Sequence, residues 1–134
     1  MKILKNTLFI FFFFSLQNFV FCQNTENDVV SFVDEDPVFP GGMQAFSEFL
    51  SSNINYPQRA VNKRIQGKCL VGFIVDKEGN VTDVIVLKKV EKCKECDAEA
   101  VRVIKLMPQW TPGKVSGKPV KCRYQVPINF RLAN

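Results

Sequence analysis

The stretch 120–130 limits this chain more than any other. Val120, Cys122, Tyr124, Val126, Ile128 and Phe130 fall on every second position. A period of two belongs to a β-strand with one face buried. The same pattern runs through Cys69, Val71, Phe73 and Val75. A Gly-containing loop, 76–80, then leads into a second run at 81–87, and loop and runs together predict a hairpin. Between hairpin and final strand, Ala100, Val101, Ile104 and Met107 line one helical face. Asp97 is placed to cap that helix, Glu99 sits in its first turn, and Pro108 stops it.

Upstream, Pro37-Val38-Phe39-Pro40-Gly41-Gly42 punctuates the chain. Met43, Phe46, Phe49 and Leu50 then recur at helical spacing over 43–51. Residues 53–56 read as a loop, and Pro57 suits the first position of a short helix over 57–64 that turns Ala60 and Val61 inward. Gly67 ends that region, and 110–119 reads as a Pro/Gly loop. The element order is helix, helix, strand, strand, helix, strand. It predicts an α+β two-layer sandwich with a small three-stranded, mainly antiparallel sheet packed on a helix. One sheet face and at least one edge should stay open.

The N-terminus reads as an address. Lys2 and Lys5 precede an apolar run from Leu8 to Leu16, and Gln17 and Asn18 interrupt it before Phe19-Val20-Phe21. That is short for a membrane span of about 20 apolar residues and fits a secretory signal, cut after Cys22. An uncut inner-membrane anchor is the alternative. A lipidated Cys22 is disfavoured by the bulk of Phe21. Removing 1–22 takes Lys2 and Lys5 and lowers the net charge from +5 to +3. Residues 23–36 hold five acids and no base, a short solvated lead-in, and 37–134 form the basic domain.

Composition excludes several chemistries. With no His, Ser-His-Asp and Cys-His catalysis and His-ligated metal sites are out. The basic residues are scattered rather than interleaved with aromatics, so nucleic acid is not the expected partner. No cofactor, metal or small-molecule substrate is indicated. Four cysteines follow the signal: Cys69, Cys93, Cys96 and Cys122. An oxidising compartment permits disulfides, and four thiols allow three pairings. Cys69 and Cys122 fall on inward strand positions, where a small buried hydrophobe fits. A local Cys93–Cys96 bridge or plain thiols rank first. A thiol-disulfide redox protein using Cys93 and Cys96 is the enzymatic alternative, weakened because no parallel βαβ unit follows.

The run 53-NINYPQRAVNKRIQGKCLVGFIVDKEGNVTDVIV-86, continued by 97-DAEAVRVIKLMPQWTPG-113, 117-GKPV-120 and 126-VPINFRL-132, resembles the C-terminal domain of TonB, the periplasmic energy transducer. The segment 37-PVFPGGMQAFSEFL-50 looks like the entry common in Bacteroidetes versions. The resemblance implies a non-enzymatic periplasmic module that binds the TonB-box segment of outer-membrane TonB-dependent transporters by adding it as a strand to the final strand's edge. By that likeness Lys121, Arg123, Tyr124, Gln125 and Val126 carry the contact, with Lys121, Arg123 and Gln125 alternating outward. Asn53, Asn55 and Tyr56 form a second contact region, where the family usually has Gln before Tyr-Pro. The same edge offers a route to a homodimer. A full transducer also has a membrane anchor and a long Pro-rich spacer. Here 23–36 reach at most about 50 Å when extended, so a stand-alone domain is expected.

Overall fold

The computed structural model describes residues 29–30 and 32–133. The expected signal segment and cleavage site lie outside these residues. The elements are α1 (Gly42–Asn53), α2 (Gln58–Asn62), β1 (Gly67–Val75), β2 (Val81–Lys88), α3 (Lys94–Lys105), β3 (Lys114–Val115), β4 (Lys118–Pro119) and β5 (Cys122–Phe130). β1, β2 and β5 form an antiparallel sheet in the order β2-β1-β5, with β3 and β4 as a separate two-stranded ribbon. The α+β architecture with a three-stranded antiparallel sheet is therefore as the periodicities predict.

The alternation decides which face is buried. Cys69, Val71, Phe73 and Val75 of β1 and Cys122, Val126, Ile128 and Phe130 of β5 point into one core with Ala100 and Ile104 of α3. Trp110 sits in an aromatic box, its ring 5.3–5.6 Å from those of Phe39, Phe46, Phe73 and Tyr124 and edge-on to each. Its indole N–H is buried and makes no hydrogen bond among the described residues.

Gly79 lets the loop after Trp110 close onto the hairpin. The Trp110 N–H donates to the Gly79 carbonyl at 2.9 Å. Gly79 has φ 89°, and a Cβ there would stand 1.8 Å from the Trp110 carbonyl oxygen. Both facts demand glycine. Asp76 shapes the same turn, its Oδ1 accepting the N–H groups of Glu78 and Asn80 at 3.0 and 2.8 Å.

Several local expectations need correction. Asp97 is not the N-cap of α3, because the helix starts at Lys94 with Cys93 as its cap. Asp97 lies in the first turn, where its carboxylate accepts the Val90 N–H at 2.8 Å. The buried face of α3 is Cys96, Ala100, Val103 and Ile104, while Val101 is only half-buried. Pro57 stands just before α2, and that helix ends at Asn62. The 110–119 loop contains the β3–β4 ribbon.

The lead-in is not simply solvated. Val30 bridges Cys122 in parallel, the Asp34 and Glu35 N–H groups donate to the Lys114 carbonyl, and Val38 pairs with Thr111. Val33 packs against the core. Val30 and residues 32–38 thus form a strap across the ribbon to the start of β5.

Candidate functional site

β5 is an edge strand. All nine of its residues pair with β1 in unbroken register, from Cys122 opposite Val75 to Phe130 opposite Gly67. On its other side the described residues place only the Val30 bridge at Cys122. That bridge fixes the phase of the edge. The Val30 N–H donates to the Lys121 carbonyl at 2.8 Å, so Lys121 faces away from β1. In an antiparallel strand, facing alternates from residue to residue, and a residue's N–H and C=O point the same way. Arg123, Gln125, Pro127 and Asn129 therefore turn their backbone groups to the free side, and Cys122, Tyr124, Val126, Ile128 and Phe130 turn theirs to β1.

Pro127 stands on the free phase. Its missing N–H leaves the β1 ladder intact and removes a donor only from the open edge. The sequence places proline where it limits added pairing without weakening the sheet.

The side chains alternate in step between the two faces of the sheet. Arg123 and Gln125 are exposed, as expected, and Lys121 is half-buried. Tyr124 and Val126 turn their side chains to the core side of the sheet. Tyr124 lies against Phe73 and Trp110, and Val126 is in the core. Among the described residues neither Lys121 nor Arg123 has a carboxylate within ion-pair distance.

Residues 53–56 are held from below by α3. Arg102 donates to the Asn53 carbonyl at 2.7 Å and, through Nε, to Glu99 at 2.8 Å. Glu99 in turn accepts the Asn55 N–H at 2.8 Å. The Arg102 hydrogen bond, followed by that of Asn55, holds the Glu99 carboxyl below its ordinary pKa. The Asn53 amide donates to the Phe49 carbonyl at 2.7 Å, so that end of its side chain is engaged at the end of α1. Tyr56 donates to the Ile65 carbonyl and packs edge-on against Phe130. Burial raises its pKa. The segment expected to meet the partner is thus a fixed shelf beside the end of β5, and Asn55 is its exposed side chain.

A groove joins shelf and edge. About 320 Å³ in volume, it lies between Ser47, Leu50 and Ser51 of α1, Ile54 and Tyr56 of the shelf, and Pro127–Arg131. Sequence reasoning missed it, because it depends on where α1 rests against β5.

The cysteines form no second site. Cys93 and Cys96 are joined in a disulfide, and both are fully buried. Cys69 and Cys122 are free and buried. Val75, opposite Cys122, lies six residues along β1 from Cys69, roughly 20 Å, so these two cannot bridge. Burial first, then the Asp97 carboxyl, pushes the Cys69 thiol up to about 12. A thiol held protonated and covered is a poor nucleophile. No group of residues suited to hold a metal ion occurs among the described residues, and no helix among them is long and apolar enough to cross a membrane.

Comparison with known proteins agrees with this geometry. The profile of the family described as Gram-negative bacterial TonB protein C-terminal matches residues 52–132. Two solution structures of the Helicobacter pylori TonB C-terminal domain are similar to the chain. One, of residues 179–285, is 25% identical with a TM-score of 0.51, and the match covers 71% of this chain and 88% of that one. The other, of residues 194–285, is 26% identical with a TM-score of 0.50, and the match covers 65% and 89%. No curated protein matches. The profile takes in the shelf, the hairpin, α3, the ribbon and β5, and the chain belongs to the TonB protein C-terminal family.

Proposed function

We propose that this chain is a periplasmic binding module that captures the TonB-box segment of outer-membrane TonB-dependent transporters as an added strand on β5. Membership of a family involved in TonB-dependent transport supports the partner class. One observation carries the mode: β5 is fully in register with β1 and, among the described residues, unpaired on its outer side beyond Cys122. Main-chain hydrogen bonds to Arg123, Gln125 and the Pro127 carbonyl supply affinity that does not depend on the peptide's sequence. Lys121 and Arg123 add attraction for an acidic segment. We read 1–22 as the export signal, 23–36 as the acidic lead-in and 37–134 as the binding domain. The buried disulfide gives no support to a redox reading.

The test is a titration of labelled TonB-box peptides against wild type and Gln125→Pro. Gln125 points its N–H at the uncovered edge, and Pro127 shows that β5 accepts proline at this phase. The variant should stay folded and lose affinity at least about tenfold, from one absent hydrogen bond and a ring in the peptide's path. Unchanged affinity would remove β5 as the docking edge. A homodimer through the same edge would appear as concentration-dependent mass in ultracentrifugation, abolished by the same substitution.

A further inference from the structure

We propose that the groove between α1 and the end of β5 is a selectivity pocket, taking one apolar, aliphatic side chain of the strand that docks on β5. This rests on the edge reading above and adds which residue type the partner must carry.

The groove's position follows from the sheet's pleat. Val126, Ile128 and Phe130 point to the core face, the face that Phe46 of α1 also joins. A strand added about 4.8 Å beyond β5 sends alternate side chains to that same face. Opposite Pro127–Arg131 such a side chain meets a space of about 320 Å³ rather than solvent or a packed wall.

The lining is mixed, with Ser47, Ser51, Asn129 and Arg131 on its polar side. Leu50, Ile54, Ile128 and Phe130 supply apolar walls. Of the two serines, Ser51 already donates its hydroxyl to the Ser47 carbonyl at 2.9 Å. No carboxylate lines the groove, and Arg131 does, so a lysine or arginine would be repelled while desolvated. A Val, Leu or Ile fits within such a space against its Leu50 and Ile54 side.

The chain supplies a precedent at the other end of the same edge. Its own strap lies alongside β5 at Cys122 and, three residues on, packs Val33 against the core. This fold thus already pairs a segment outside β5 and draws an apolar side chain of that segment inward. The wall of the groove also has a separate origin in the sequence. Ser47, Leu50 and Ser51 precede residue 52, where the family match begins. An edge shared across the family and a wall set outside the matched region together allow a common docking mode with a private preference.

The experiment uses a TonB-box heptapeptide and a panel in which each position is changed in turn to Asp and to Ala. Binding is measured by fluorescence anisotropy to wild type, Ser47→Trp, Ser51→Trp and Gln125→Pro. Both serines are exposed, so the tryptophans can be added without opening the core. In wild type, one apolar position should lose about tenfold on change to Asp. At least one tryptophan variant should weaken the parent peptide about tenfold while binding the Ala peptide at that position as well as wild type does, because the indole fills the space the larger side chain needs. If Gln125→Pro abolishes binding and both tryptophan variants treat the whole panel as wild type does, the pocket is refuted and the edge stands. If Gln125→Pro binds like wild type, the edge reading fails and the pocket with it.

Discussion

The two edges of this sheet are protected in different ways, and the contrast points to one of them as the docking strand. β2 is spoiled geometrically. Its register against β1 slips between Gly72 and Ile74, and Asp83 sits at φ 50° in the bulge. A bulged, twisted edge presents no straight row of donors and acceptors. β5 keeps full register over nine residues. Its guards are chemical: Pro127 on the free phase, Lys121 and Arg123 along the side, and one backbone bridge from Val30. Such guards discourage chance pairing but yield to a matching segment. The sheet's outer face is also partly apolar, with Ile85 and Leu87 folded toward Gly72. That makes the β2 bulge worth keeping, since a straight edge beside an exposed apolar face invites aggregation.

The sharpest way to break the comparison is to move the proline by one residue. Val126→Pro removes an N–H that faces β1 and empties part of the core. It should cost on the order of 3 kcal/mol or more and unfold the domain in thermal melts. Gln125→Pro, its neighbour, should change stability by less than about 1 kcal/mol. Equal losses would show that the phase of β5 is wrong and that Arg123 and Gln125 do not face outward. Next in size, Cys93→Ala with Cys96→Ala opens a loop so short that its closure stabilises by only about 2 kcal/mol. Denaturant midpoints should fall accordingly while peptide affinity holds. A parallel loss of affinity would mean that β5 depends on the far end of the core.

What the sequence revealed follows from which forces are local. Alternation at Cys69–Val75 and Val120–Phe130 fixed strands and inward residues, because burial of one face is written every second position. Whether β5 would lie at an edge was not written there. That comes from the crossover through α3, which sends the last strand to the far side of β1. The start of α3 was misread because Asp97 is the better capping residue by type. In the fold the disulfide-bonded Cys93 caps the helix four residues earlier. Five acids hid the strap, although Val30 and Val33 carried an apolar signal within it. Among the expected site residues, Arg123 and Gln125 are exposed, Val126 is in the core, Tyr124 is half-buried against it, and Asn53 is engaged by α1. The groove was illegible, since α1 and β5 lie some seventy residues apart in the chain and meet only in the folded state.

Acid should loosen the shelf before the edge. Glu99 has its folded pKa lowered, by Arg102 first and the Asn55 N–H among the further causes. Its contribution is therefore complete above the unfolded carboxylate value of about 4.3 and is lost as pH falls through the lower folded value. Amide shifts of Asn55 should move in that window, below about pH 4, while those of Val71 and Val126 in the β1–β5 ladder stay put. Joint movement would show the shelf and β5 to be one cooperative unit.

The smallest effect separates the two ends of β5 itself. The strap spends one backbone donor on the edge, the Val30 N–H to the Lys121 carbonyl, and a single bond at a solvent-facing end is worth about 0.5–1 kcal/mol. A peptide that pairs from Lys121 onward must displace it, so its apparent affinity is reduced by the fraction of time the strap is closed. Val30→Pro deletes the donor without touching the β1 ladder. If the docking segment begins at Lys121, affinity should rise about two- to fivefold. If it begins at Gln125, affinity should not change. A fall in affinity would reverse the relation between the two ends, because the strap would then be a neighbour that the incoming strand leans on rather than one it has to move.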